Sequence, residues 1–225
     1  MKFDLSGINV MIAIPVNRDL PWQTAQSLIE TVTVLKDNGI SFLIQFVVGS
    51  SIIEVARSKV AHEFLKSDCN RLLMIDSDQE WEAKDAVRLM AMSTQMDVVL
   101  GAYPAKRDPP TFLLSPVDGE AQANHFGCIP INGIGLGFTI VSRDVMEKLA
   151  ADAPQVVFSE SPEPIPHIFR CDIVDGVFRG EDMAFFADVR SHGYTVWLDP
   201  KIRVGHVGAK NYQGDIRDAL IKVKD

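Results

Sequence analysis

Leu72-Leu73-Met74-Ile75-Asp76-Ser77-Asp78 is the stretch that decides the fold. Four apolar residues run without polar alternation and end on two carboxylates spaced two apart. Such a run suits a strand buried on both faces, as in a parallel sheet covered by helices. In open α/β sheets, ligands gather at the carboxyl ends of the strands, where Asp76 and Asp78 fall. Two carboxylates there can converge on a hard cation. Mg²⁺ or Mn²⁺ accepts such oxygen ligands and also holds a diphosphate. A solvated acidic turn explains the same residues, so both readings stand on the triplet alone.

Outward from this strand, strand and helix patterns alternate. Asn9–Pro15 is a short apolar run, and Trp22–Asn38 has helical character with a stop at Asn38-Gly39. Ser41–Val48 reads as a strand and Ile53–Leu65 as a helix. Arg71–Ile75 is a third strand, Ala83–Met92 a helix and Asp97–Ala102 a fourth strand. This alternation predicts an α/β domain with a mostly parallel sheet flanked by helices.

The later part is mixed. Lys106–Pro110 and Ser159–Pro166 read as loops. The glycine-rich Asn132–Gly137 leads into a strand, Phe138–Val141, and a helix, Arg143–Ala150. A hairpin is expected within Phe169–Phe178, around Asp175-Gly176. A helix over Asp182–His192 stops at Gly193. Strands follow at Thr195–Leu198 and Ile202–His206, and a helix at Asp215–Val223. One domain is expected over 1–225, with a nucleotide-binding half over 1–103 and a mixed half over 104–225.

Composition bounds the partners. The 225 residues are 47% hydrophobic and 23% charged, as in ordinary globular domains. The net charge of -8 disfavours bulk attraction to nucleic acid or anionic lipid, while leaving room for a local phosphate pocket. No run approaches the roughly 18 apolar residues of a membrane span. No transmembrane segment or secretory signal is therefore expected. Cys69, Cys128 and Cys171 are odd in number and far apart, which fits a reducing cytoplasm better than a disulfide framework.

Three further features bear on chemistry. Glu181-Asp182 opens a helix after Gly180. Acids favour a first helical turn, so capping is the simpler reading of the pair alone; the functional reading is a general base. His206, in Val204-Gly205-His206-Val207-Gly208, is either a loop histidine or a metal ligand beside Asp78. Lys210 is either a solvated lysine or a phosphate contact. The Asn132–Gly137 segment suits a tight turn or the border of a substrate cleft.

Taken in order, these segments resemble a GT-A-fold glycosyltransferase, closest to the family 2 type. Ile14-Pro15-Val16-Asn17 follows strand one, and Val55-Ala56-Arg57-Ser58-Lys59-Val60-Ala61 lies in an early helix. Leu72 to Asp78 resembles the apolar strand and DxD motif. Glu181-Asp182-Met183-Ala184-Phe185-Phe186 resembles the later ED-containing helix. Gly193 to Pro200 and His206 resemble the segment after it.

The resemblance implies a transfer from a nucleotide-diphosphate sugar, with UDP favoured, to a carbohydrate or other acceptor hydroxyl. It implies Mn²⁺ or Mg²⁺ held directly by Asp78, with His206 as a further ligand. Asp76 would meet the ribose or a metal-bound water. Asn17 and Arg57 would meet the nucleotide, and Lys210 the diphosphate. For an inverting transfer Asp182 would be the base, with Glu181 second; the family's fold hosts retaining transfers as well.

Three other classes share parts of this pattern. A haloacid-dehalogenase-type phosphatase also has Asp-x-Asp after an apolar strand, but early in its domain. A sugar-phosphate nucleotidyltransferase would carry a glycine-rich basic loop after strand one, which Val16-Asn17-Arg18-Asp19-Leu20 lacks. A sugar-nucleotide-binding protein without catalysis would bind and not turn over.

Overall fold

The structure is a computed structural model that describes residues 3–159 and 163–221. The first elements are β1 (Asn9–Val16), α1 (Trp22–Asp37), β2 (Ser41–Val48), α2 (Ile53–Lys66), β3 (Arg71–Ile75), β4 (Gln79–Trp81), α3 (Ala83–Met92) and β5 (Val98–Leu100). Then come β6 (Ser115–Pro116), β7 (Ile129–Gly133), β8 (Phe138–Ser142), α4 (Arg143–Asp152), β9 (Gln155–Val156) and β10 (Ile165–Pro166). The last are β11 (Asp172–Val174), β12 (Val177–Arg179), α5 (Glu181–Ser191), β13 (Val196–Leu198), β14 (Val204–Val207), β15 (Asn211–Tyr212) and α6 (Ile216–Ile221).

Eight strands form one sheet in the order β2-β1-β3-β8-β5-β13-β7-β6. β1 pairs in parallel with β2 and β3, and β5 with β13. β8 runs antiparallel between β3 and β5, with Ile75 opposite Phe138 and Leu100 opposite Thr139. β7 is antiparallel to β13 and β6 to β7. Strands from both halves of the chain thus interleave. A second sheet, β15-β14-β4, sets His206 opposite Gln79.

Alternation along the strands feeds two apolar layers. Met11, Leu72 and Met74 pack with Phe64 of α2, Met146 of α4 and Phe185 of α5. Ile12, Leu73 and Ile75 pack with Leu35 of α1 and Met90 of α3. Both faces are therefore covered, which is why the strands read as continuous apolar runs. No helix among the described residues is long and apolar enough to cross a membrane.

The turn chemistry behaves as its residues dictate. α1 ends at Asn38, whose amide donates to the Val34 carbonyl at 2.8 Å, and Gly39 takes φ +66°. Asp175 and Gly176 both take positive φ at the tip of the β11–β12 hairpin, as an Asp-Gly turn requires. The expected loop over Ser159–Pro166 needs correcting: Ile165–Pro166 is a strand paired with Gln155–Val156, and 160–162 lie outside the described residues. The expected last helix is seen as Ile216–Ile221, its final two positions lying outside the described residues.

Candidate active site at the carboxyl ends of the sheet

A cleft of about 380 Å³ opens where β1, β2, β3 and β5 end. Asn17 follows β1, Ser50 follows β2, Asp76 and Asp78 follow β3, and Tyr103 follows β5; all line it. Arg57 enters from α2, Glu181 and Asp182 from the first turn of α5, and His206 from β14. Asp76 is fixed as the sheet continues one step, its N–H donating to the Gly137 carbonyl at 2.9 Å.

Two polar groups form here. The first centres on Asp78. Lys106 Nζ lies 2.5 Å from Asp78 Oδ2, and His206 Nε2 lies 3.4 Å from the same oxygen. His206 Nδ1 is 2.9 Å from the Pro104 carbonyl. A carbonyl oxygen only accepts, so Nδ1 donates to it, and the ring is held with Nε2 facing Asp78. The Tyr103 ring meets the imidazole edge-on at 5.1 Å and packs it in place. Burial pushes the Asp78 carboxyl up, but hydrogen bonds from His206 and Lys106 outweigh it and hold the group below the usual carboxylate range.

The second group centres on Asp76. Arg57, 5% exposed, donates from Nη2 to Asp76 Oδ1 at 2.8 Å, and its Nε lies 3.8 Å from Glu181 Oε1. The Tyr103 hydroxyl donates to Asp76 Oδ2 at 3.4 Å and accepts the Gly137 N–H at 3.2 Å. Glu181 is pushed up by burial; Arg57 pulls it back only in part, and neighbouring Asp182 adds to the rise. Asp182 is held by the Met183 N–H, 2.7 Å from its Oδ1.

The donor set at Asp78 suits a divalent cation: one carboxylate oxygen and the imidazole Nε2, with the ring oriented through Nδ1 by a backbone carbonyl. Asp76 does not join that pair. Its oxygens go to Arg57 and Tyr103, and among the described residues no group of three His, Cys, Asp or Glu side chains is placed to hold a metal. Arg57 is drawn inward to Asp76 and Glu181, though its Nη1 has no hydrogen-bond partner among the described residues. Lys210 does not line the cleft; its Nζ pairs with Asp108 at 2.5 Å.

Tyr103 and Lys106 are site residues that the sequence reading passed over. Tyr103 sits just past an apolar strand, the same signal that marked Asp76. The glycine-rich segment is neither cleft wall nor simple turn. A Cβ at Gly137 would stand 2.4 Å from Asp76 Oδ2, and one at Gly135 would stand 2.2 Å from the Tyr103 hydroxyl oxygen. The glycines make room for the Tyr103–Asp76 contact.

The fold has a counterpart among solved structures. GalNAc-T7, crystallised with UDP, GalNAc and Mn²⁺, superposes with a TM-score of 0.56 over 91% of this chain and 45% of its own, at 12% identity. The fold is GT-A. The likeness is one of fold, and the chain spans just under half of that protein's length. A 4-diphosphocytidyl-2C-methyl-D-erythritol synthase from Anaerococcus prevotii DSM 20548 overlaps 68% of the chain and 80% of its own at 12% identity, with a TM-score of 0.35. No family model and no curated protein matches the sequence. Asp76-Ser77-Asp78 occupies the turn after β3, and Glu181 and Asp182 at the start of α5 line the same cleft.

Proposed function

We propose that the protein is a divalent-metal-dependent glycosyltransferase that moves a sugar from a UDP-sugar to an acceptor hydroxyl with inversion. The observation that carries this is the meeting of Asp78 and His206. They are far apart in sequence, yet lie 3.4 Å apart at the carboxyl end of the sheet, in the cleft that also receives Glu181 and Asp182. The fold adds support, and the solved GalNAc-T7 holds UDP and Mn²⁺.

Asp78 and His206 would hold Mn²⁺ or Mg²⁺, which supplies charge stabilisation for a departing diphosphate. Asn17, beyond β1, contacts the nucleotide. Asp76 faces the ribose, and Arg57 fixes the direction of that carboxylate while its charge favours the anionic donor. Asp182 takes the proton from the acceptor hydroxyl. Glu181 beside it, raised by burial, is the second candidate for that role. Lys210 has no part in this scheme, because its ammonium is turned to Asp108.

Calorimetry with UDP and GDP, each with and without Mn²⁺, tests the scheme on the wild type and on Asp78→Ala. UDP should bind with Mn²⁺, and Asp78→Ala should lose that binding while its circular dichroism melt is unchanged. Mn²⁺-dependent UDP binding that survives in the variant refutes the metal site. Metal-dependent GDP binding without UDP binding refutes only the nucleotide choice. Pyrophosphate release from a nucleoside triphosphate and a sugar phosphate would instead assign a nucleotidyltransferase.

A further inference from the structure

Lys106 is placed where a cation belongs. Its Nζ is 2.5 Å from Asp78 Oδ2, the oxygen that also faces His206 Nε2. An ammonium there satisfies that oxygen with one positive charge, and a divalent cation would satisfy it with two. The two cannot share the position, because they repel and seek the same lone pairs.

The surroundings favour a side chain that swings rather than a loop that opens. The base of its turn is tied by the Ala105 N–H, which donates to the Thr111 carbonyl at 2.8 Å. Arg107 also bonds the Thr111 hydroxyl across the turn. The Lys106 stem runs over Gly208, where a Cβ would stand 3.1 Å from its Cδ and 3.4 Å from its Cε. The side chain is 39% exposed, so its four-carbon stem is free to turn on a pinned backbone.

We propose that the Lys106 ammonium guards the cation position of Asp78 and transfers to the diphosphate when donor and metal arrive together. This rests on the glycosyltransferase reading and adds an order of binding to it. Mn²⁺ alone must displace Lys106 from Asp78 and strand a positive charge near itself. Mn²⁺ with UDP offers the ammonium a new anion, so the two ligands reinforce one another through one side chain. A net acidic protein gains from such a guard, since an unguarded carboxylate invites stray cations.

The test is direct binding, with no turnover needed. Mn²⁺ affinity is measured by electron paramagnetic resonance, with and without UDP, on the wild type, Lys106→Met and Lys106→Arg. Removing the ammonium should tighten Mn²⁺ alone about three- to tenfold, in the range of a half-exposed ion pair plus the relieved repulsion. It should weaken UDP in the presence of Mn²⁺ by about tenfold, as expected for a lost charge-assisted contact. Lys106→Arg keeps the charge and should keep both wild-type affinities within about twofold.

Opposite signs from one substitution separate this role from a structural one, which would weaken both. Mn²⁺ binding that is unchanged or weaker in Lys106→Met overturns the guard and leaves the glycosyltransferase reading intact. Failure of all three proteins to bind Mn²⁺, with or without UDP, overturns both.

Discussion

Replacing Asp85 with Asn should stabilise the protein near neutral pH and leave it unchanged near pH 4. Asp85 lies in the first turn of α3 with only 4% of its surface exposed. Burial raises its pKa from an ordinary 3.8 to about 6; Lys84 and a backbone hydrogen bond from Arg203 oppose the rise, and Glu82 and Asp199 add to it. The group binds its proton more tightly folded than unfolded. Its contribution is therefore full below about pH 4 and is lost as the pH rises through about 6. Carrying the charge at pH 7 costs about 3 kcal/mol, at 1.36 kcal/mol for each pH unit between the two values.

Asparagine has the same shape and still accepts the Arg203 N–H, but carries no charge. The lost anion at a helix N-terminus gives back about 0.3–1 kcal/mol, leaving a net gain of about 2 kcal/mol at pH 7. For a domain of this size that corresponds to roughly 4–8 °C in Tm. Urea melts of both proteins between pH 4 and pH 8 read the difference directly, and subtraction removes every other titrating group. Parallel curves across that range would mean that Asp85 ionises freely, and the burial argument would be wrong.

Asp182→Asn should keep Mn²⁺-dependent UDP affinity and lose roughly 10²- to 10⁴-fold in turnover, because a positioned base contributes about that much; near-normal kcat would shift the role to Glu181. Gly137→Ala drives a methyl to 2.4 Å from Asp76 Oδ2 and 2.9 Å from the Tyr103 hydroxyl oxygen. It should cost about 1–3 kcal/mol in a thermal melt and weaken UDP binding, as overpacking does. Gly7→Ala, with nothing within 4 Å of the new Cβ, is the matched control and should stay within about 0.5 kcal/mol of wild type.

The elements with a full two-sided core were legible because burial leaves an apolar signature: β1, β3 and α2 are found where their sequences place them. Short strands were not. β4 has three residues and β6 two, too few for a period to register. β7 carries Pro130 and Gly133, which read as turn residues, yet β13 captures it into the sheet. That β8 stands between β3 and β5 is set by long-range pairing that no local pattern encodes.

The site divides in the same way. Asp78 was legible as a carboxylate just past a strand, and His206 as a histidine in a late strand. The pairing of Arg57 with Asp76 was not, because it joins a helix face to a turn at the carboxyl end of the sheet, 19 residues apart. Tyr103 and Lys106 were hidden because one ends the first half of the chain and the other opens the proline-rich stretch 106–110, which read as a loop. Lys210, an exposed lysine outside the cleft lining, meets Asp108, a long-range pairing that its local sequence does not encode.

The position of β8 also governs the order in which the chain can be made into a protein. β3 and β5 are hydrogen-bonded to β8 and not to each other. During synthesis both must wait, with apolar flanks such as Leu72-Leu73 and Val98-Val99, until residue 142 has left the ribosome. β5 then waits again for β13 on its other side. A fragment ending near Tyr103 would leave one edge of β3 and both edges of β5 unpaired, each a template for association with another chain. Slow, late closure of this kind makes the nascent first half a natural client for a chaperone that shields apolar strands.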